Sequence, residues 1–165
     1  MEDRLNFFEP WERLRANHEN QLTRALLVVL RYCPIAHQAW LSLVSPRLTL
    51  HSLPRATFDT QRAQILRESQ PKTNEPIKGI SVLCAADASN EVQSAVLESD
   101  RGQVLDGVIR YGDDTAIVLE SKIKLGPVDS SQAVNINLGG QPVQFDGYVR
   151  NISWRECFSF LHRSG

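Results

Sequence analysis

Residues 104–123 read VLDGVIRYGDDTAIVLESKI, and this stretch decides the fold. Two apolar segments, Val104–Tyr111 and Thr115–Ile123, flank Gly112-Asp113-Asp114, a cluster of turn formers. The pair is expected to form a β-hairpin. Ala116-Ile117-Val118-Leu119 is apolar on both faces, the pattern of a strand at the centre of a sheet covered on both sides. Asp106-Gly107 sits between Val104-Leu105 and Val108-Ile109, so it reads as strand, with a close backbone approach at Gly107. The turn sets a register in which Asp106 falls opposite Glu120, and cross-strand neighbours on one face come within about 5 Å. Glu120 and Lys122 are two residues apart on a strand and so share that face.

Outward from the hairpin, Val92–Glu98 is expected to add a third strand before Ser99-Asp100-Arg101-Gly102, making a β-meander. Ile80, Val82 and Leu83 form a short apolar strand after Lys78. Beyond Gly126-Pro127, a short helix is expected over Ser130–Asn137, then a strand over Val143–Val149. Ser153 followed three residues later by Glu156 is a capping box, and Trp154, Cys157, Phe158 and Leu161 give its helix an apolar side. Upstream, Leu22, Ala25, Leu26, Val29, Leu30 and Cys33 recur at three- and four-residue steps, predicting a helix over Asn17–Cys33 that stops at Pro34. A second helix is expected over Ile35–Val44, with Ile35, Ala36, Ala39, Trp40 and Leu43 inward. Prolines at 46, 54, 71 and 76 punctuate the next segment, where Phe58–Glu68 fits a helix or an extended arm. The expected class is α/β: a central mixed sheet, meander plus later strand, flanked by helices.

The chain has 165 residues, the size of a single domain. A helical part over about 11–70 precedes a sheet core over about 78–163 that carries the site; a module of a larger chain would look the same. The formal charge of −1 excludes a protein that coats nucleic acid by bulk charge, though not one with a local basic groove. Three cysteines without CxxC spacing suggest neither a disulfide framework nor a zinc site. Reduced thiols fit a cytoplasmic protein. The charged N-terminus is unlike a signal peptide, and the densest apolar run, Ala25–Leu30, is too short to cross a bilayer, so no membrane partner is expected. The four histidines lack ligand spacing and fit surface or satisfied core positions.

The chemistry lies in the hairpin. Two carboxylates, Asp106 and Glu120, at cross-strand distance repel unless a cation lies between them. Mg²⁺ (or Mn²⁺) is held by one or two carboxylates together with water and phosphate oxygens. Lys122 beside them is suited to orienting or deprotonating an attacking water, or to stabilising developing charge. These parts compose metal-assisted phosphodiester hydrolysis.

Asp106, a turn, then Glu120-Ser121-Lys122 resembles the D…(D/E)xK signature of the PD-(D/E)XK nuclease superfamily. The likeness extends to a glutamate on a helix before the sheet, matched by Glu19, and to a polar residue on a helix after the lysine strand, matched by Gln132. One departure is Leu105, where the superfamily pattern has proline before the aspartate. The resemblance implies a restriction-endonuclease-like fold with a metal site of Asp106, Glu120 and Glu19. It implies catalytic roles for Asp106, Glu120 and Lys122, with Gln132 orienting the lysine. It implies a DNA endonuclease of restriction or phage-defence type, RNA not being excluded as substrate, acting alone or with a second copy or partner subunit. Arg24 and Arg31, seven apart on one helix face, are candidates for phosphate contact. Two other accounts compete: a catalytically silent nuclease-like fold serving as a nucleic-acid-binding or assembly module, and a structural domain in which Glu120 and Lys122 only solvate a strand edge.

Overall fold

A computed structural model describes residues 18–60, 75–85, 93–94, 106–122, 137–138 and 141–163. In chain order the elements are α1 (His18–Tyr32), α2 (Pro34–Val44), a 3-10 turn (Leu50–Ser52), β1 (Ala56–Thr60), β2 (Ile77–Ala85), β3 (Gln93–Ser94), β4 (Gly107–Tyr111), β5 (Thr115–Lys122), β6 (Asn137–Leu138), β7 (Gln141–Ser153) and α3 (Trp154–Arg163). Six strands form one mixed sheet in the order β1-β4-β5-β2-β7-β3, and β6 pairs with β7. The class is α/β, as expected. β5 lies inside the sheet, antiparallel to β4 and parallel to β2.

The hairpin has the expected register: Tyr111 faces Thr115, Ile109 faces Ile117 and Gly107 faces Leu119. Gly112 takes the turn with φ +61°, a left-handed conformation that costs glycine little. The meander, however, is not formed. The described part of the third segment, Gln93–Ser94, pairs with β7 at the far edge of the sheet. β4 is flanked instead by β1, with Phe58 opposite Ile109. Phe58 therefore belongs to a strand rather than to a helix. β2 enters between β5 and β7, parallel to both.

The two faces of β5 pack into separate cores. Ile117 and Leu119 join Ile80, Val82, Ile109, Tyr111 and Phe58 beneath Leu26, Leu27, Leu30, Trp40 and Leu41 of the first two helices. Ala116 and Val118 join Ile77, Val143 and Leu138 on the opposite face. All three helices contribute to the first core, and no described helix contributes to the second. The expected helix over Ser130–Asn137 lies outside the described residues except for Asn137, which is in β6. α2 presents a different face from the one its sequence suggested. Ala36 and Trp40 are inward as expected, but His37, Leu41 and Val44 complete the buried side, while Ile35 is 70% and Leu43 45% exposed.

α1 rests directly on the start of β4. A Cβ at Gly107 would lie 2.9 Å from Thr23 Cγ2 and 3.1 Å from Leu27 Cδ1. The close approach expected at Gly107 is thus a helix crossing the strand. Gly107→Val is expected to destabilise the fold by about 1–3 kcal/mol through overpacking. Adding Thr23→Ala should restore part of the loss in urea denaturation; a single variant as stable as wild type would contradict this packing.

His37 occupies the first core, its Nε2 2.6 Å from the Tyr111 hydroxyl. Burial pushes the imidazole down from 6.5 to about 4. Burial likewise raises the Tyr111 hydroxyl, so both groups are neutral at pH 7. The unfolded chain takes up a proton near pH 6.5, whereas the native imidazole resists until about 4. Stability contributed by neutral His37 is therefore present above pH 6.5 and lost as pH falls towards 4. The expected loss between pH 7.5 and pH 5 is about 2 kcal/mol. His37→Gln should flatten that part of the curve of unfolding free energy against pH.

Candidate active site

β5, β2 and β7 run parallel, so their carboxyl ends lie along one edge of the sheet, together with the start of antiparallel β4. In open α/β sheets this edge is where ligands bind. Asp106 stands there immediately before β4, and Glu120, Ser121 and Lys122 close β5.

The hairpin register carried one residue beyond Gly107 and Leu119 puts Asp106 across from Glu120. Asp106 also binds the neighbouring strand: its Oδ2 accepts the Ser121 backbone N–H at 2.8 Å. A backbone amide lies in the plane of the sheet, so this hydrogen bond draws the Asp106 carboxylate to the strand end at the middle residue of the Glu-Ser-Lys triplet. Asp106 is half-buried, and Glu120 is buried with 8% of its surface exposed. Glu120 alternates with Ala116 and Val118, so it belongs to the second face of the sheet. Leu83 is its partner on β2, and Leu83 in turn pairs with Asn151 on β7.

Lys122 is the last residue of β5, two positions beyond Glu120. Glu19 is in the first turn of α1, one helical turn before Thr23, the residue that meets Gly107. Gln132 lies outside the described residues. Arg24 and Arg31 are half-buried on α1, and the Arg31 guanidinium stands 5.0 Å over the Tyr32 ring. No group of three or more His, Cys, Asp or Glu arranged to hold a metal occurs among the described residues. The donors present, two carboxylates at adjoining strand ends, nevertheless have the hard-oxygen chemistry that suits Mg²⁺, which needs only one or two of them.

Ser81 was not singled out from the sequence. It is fully buried, lies on the Glu120 face two positions before Leu83, and its hydroxyl has no hydrogen-bond partner among the described residues. A buried hydroxyl left unpaired costs about 1–3 kcal/mol. The available signal was a serine at an inward position of the apolar run Ile80–Leu83.

At the same edge, α3 begins with the expected capping box. The Ser153 N–H donates to Glu156 Oε2 at 2.9 Å, and the Glu156 N–H donates to Ser153 Oγ at 3.1 Å. The Glu156 carboxylate thus occupies the helix end that would otherwise attract a phosphate.

The chain matches no family model, no curated protein and no solved structure. No single described helix is long and apolar enough to cross a membrane.

Proposed function

We propose that the chain is a divalent-metal-dependent nuclease of the PD-(D/E)XK type that hydrolyses phosphodiester bonds in DNA. The observation that carries this is the hydrogen bond from the Ser121 amide to the Asp106 carboxylate. It fixes the aspartate against the centre of the Glu120-Ser121-Lys122 triplet, at the carboxyl edge of the parallel strands. Asp106 and Glu120 would hold Mg²⁺ or Mn²⁺, with Glu19 completing the set from α1. The metal, when bound, supplies Lewis-acid stabilisation of charge on the phosphate. By the resemblance, Lys122 would orient the attacking water and take or share its proton, and Gln132, outside the described residues, would help orient Lys122. Burial of Glu120 keeps bulk water from competing for its oxygens. Arg24 and Arg31 contribute positive charge on α1 for the phosphate backbone. A restriction or phage-defence role follows from the resemblance, as does the restriction-endonuclease-like description of the fold.

The sheet order supplies one point for a silent, nuclease-like binding module. The meander that accompanies the resemblance is not formed: β1 and β2, not the segment over Val92–Glu98, flank the hairpin. Incubation with supercoiled and linear DNA separates the two. A nuclease should nick or cut in Mn²⁺ and stop in EDTA, whereas binding without any metal-dependent cleavage would favour the module.

A further inference from the structure

Cys84 near the end of β2 and Cys157 in α3 lie 73 residues apart in sequence, yet their sulfur atoms are 3.5 Å apart. Both thiols are free and buried, with 1% and 0% of their surfaces exposed. The pair lies on the helix-covered face of the sheet, and Cys84 is in register with Ser121, whose amide holds Asp106. We propose that Cys84 and Cys157 are a redox modification site, a dithiol that hydrogen peroxide converts into a disulfide joining α3 to the carboxyl end of β2. This goes beyond the nuclease function and does not depend on it.

The sulfurs need to approach by about 1.5 Å to reach the disulfide bond length of about 2.05 Å. Rotation of two side chains, one on a terminal helix, spans such a distance more easily than a shift of the sheet. α3, the last described element in chain order, packs on β2, β7 and α2. Oxidation requires a local opening of α3 that admits peroxide to sulfurs 1% and 0% exposed. The hydrogen bond with Cys157, then burial and the charge of Asp106, push the Cys84 thiol up. One of the two, as its thiolate, displaces hydroxide from the peroxide and becomes a sulfenic acid. The other thiol then attacks that sulfur, and water leaves. Two thiols lose two electrons and two protons, and one peroxide becomes two waters. The third cysteine, Cys33, lies at the joint between α1 and α2 and takes no part.

The test uses the full chain carrying Cys33→Ser, alongside wild type. After hydrogen peroxide treatment, quenching and denaturation, the Cys33→Ser protein should show no titratable thiol and a mass lower by two hydrogens. A peptide map should show Cys84 linked to Cys157 within one chain. Dithiothreitol should restore both thiols. Closing so long a loop should raise the melting temperature by roughly 5–10 °C. Wild type should retain the linked peptide, which guards against any effect of the Cys33 substitution itself. Survival of both thiols under peroxide in either protein would overturn the proposal. So would oxidation that stops at sulfinic acid, or disulfides found only between chains.

Discussion

Under the proposed function, Mn²⁺ should raise the melting temperature of the wild-type chain and the chain should cleave DNA; Glu120→Gln is expected to abolish both. Glutamine keeps the size of the side chain and leaves β5 inside the sheet, so the fold should survive. In the absence of metal the variant should remain folded, since glutamine keeps the shape and hydrogen-bonding capacity of the side chain. What it loses is the negative oxygen that a hard cation requires. Metal present at one hundred times its dissociation constant stabilises a protein by about 2.7 kcal/mol, which in a chain of this size is several degrees of melting temperature. That increment should vanish, and cleavage should fall by about a thousandfold or more, as when a principal electrostatic contribution to a transition state is removed. Identical responses of variant and wild type to Mn²⁺ would mean that the ion binds elsewhere. A lost thermal response with cleavage intact would separate metal binding from the chemistry and count against the proposed site.

Lys122→Met tests the other half of the machinery. Methionine matches lysine in length and removes only the charge. A lysine kept for packing at the end of β5 could be replaced with no loss, or with a gain, in stability. A lysine that serves the attacking water could not, and a positioned acid or base is worth about 10²–10⁴ in rate. The expected result is an intact fold, an unchanged thermal response to Mn²⁺, and DNA cleavage reduced by at least about a hundredfold. The loss should lie in turnover and leave DNA affinity nearly unchanged. Full activity in Lys122→Met, measured beside Glu120→Gln, would remove the Glu-Ser-Lys triplet from the mechanism.

Much of what positions the site was legible because it is local. The turn at Gly112–Asp114 fixes the hairpin register, and that register fixes which residue faces Glu120. The spacing of leucines in α1 and the Ser153–Glu156 box are likewise settled within a turn or two of chain. The hydrogen bond from Ser121 to Asp106 could not be read, since it depends on how Asp106 turns once β4 has not yet begun. Sheet order is a long-range property, and there the sequence was mute. Gln93 and Ser94 carry nothing to show that their partner is Val149 and Tyr148 rather than β4. β1 was hidden because, of its five residues, Phe58 alone is buried, which leaves no alternation to detect. In α2 nearly every side of the helix bears an apolar residue. Which side turns inward is decided by α1 and the sheet, and they select His37 and Leu41 over Ile35 and Leu43.

The place of β2 has a consequence for how the protein is made. Gly79 to Cys84 are all buried in the finished sheet, with β5 on one side and β7 on the other. On the ribosome that segment emerges long before either neighbour, since β5 begins at Thr115 and β7 at Gln141. Until both arrive, a nascent chain carries an apolar ribbon with two open hydrogen-bonding edges, the feature that templates aggregation. Slow or interrupted translation beyond Ala85 would prolong that exposure. Yield of native protein should therefore depend on chaperones that shield extended apolar segments, more than the thermodynamic stability of the completed fold alone would suggest.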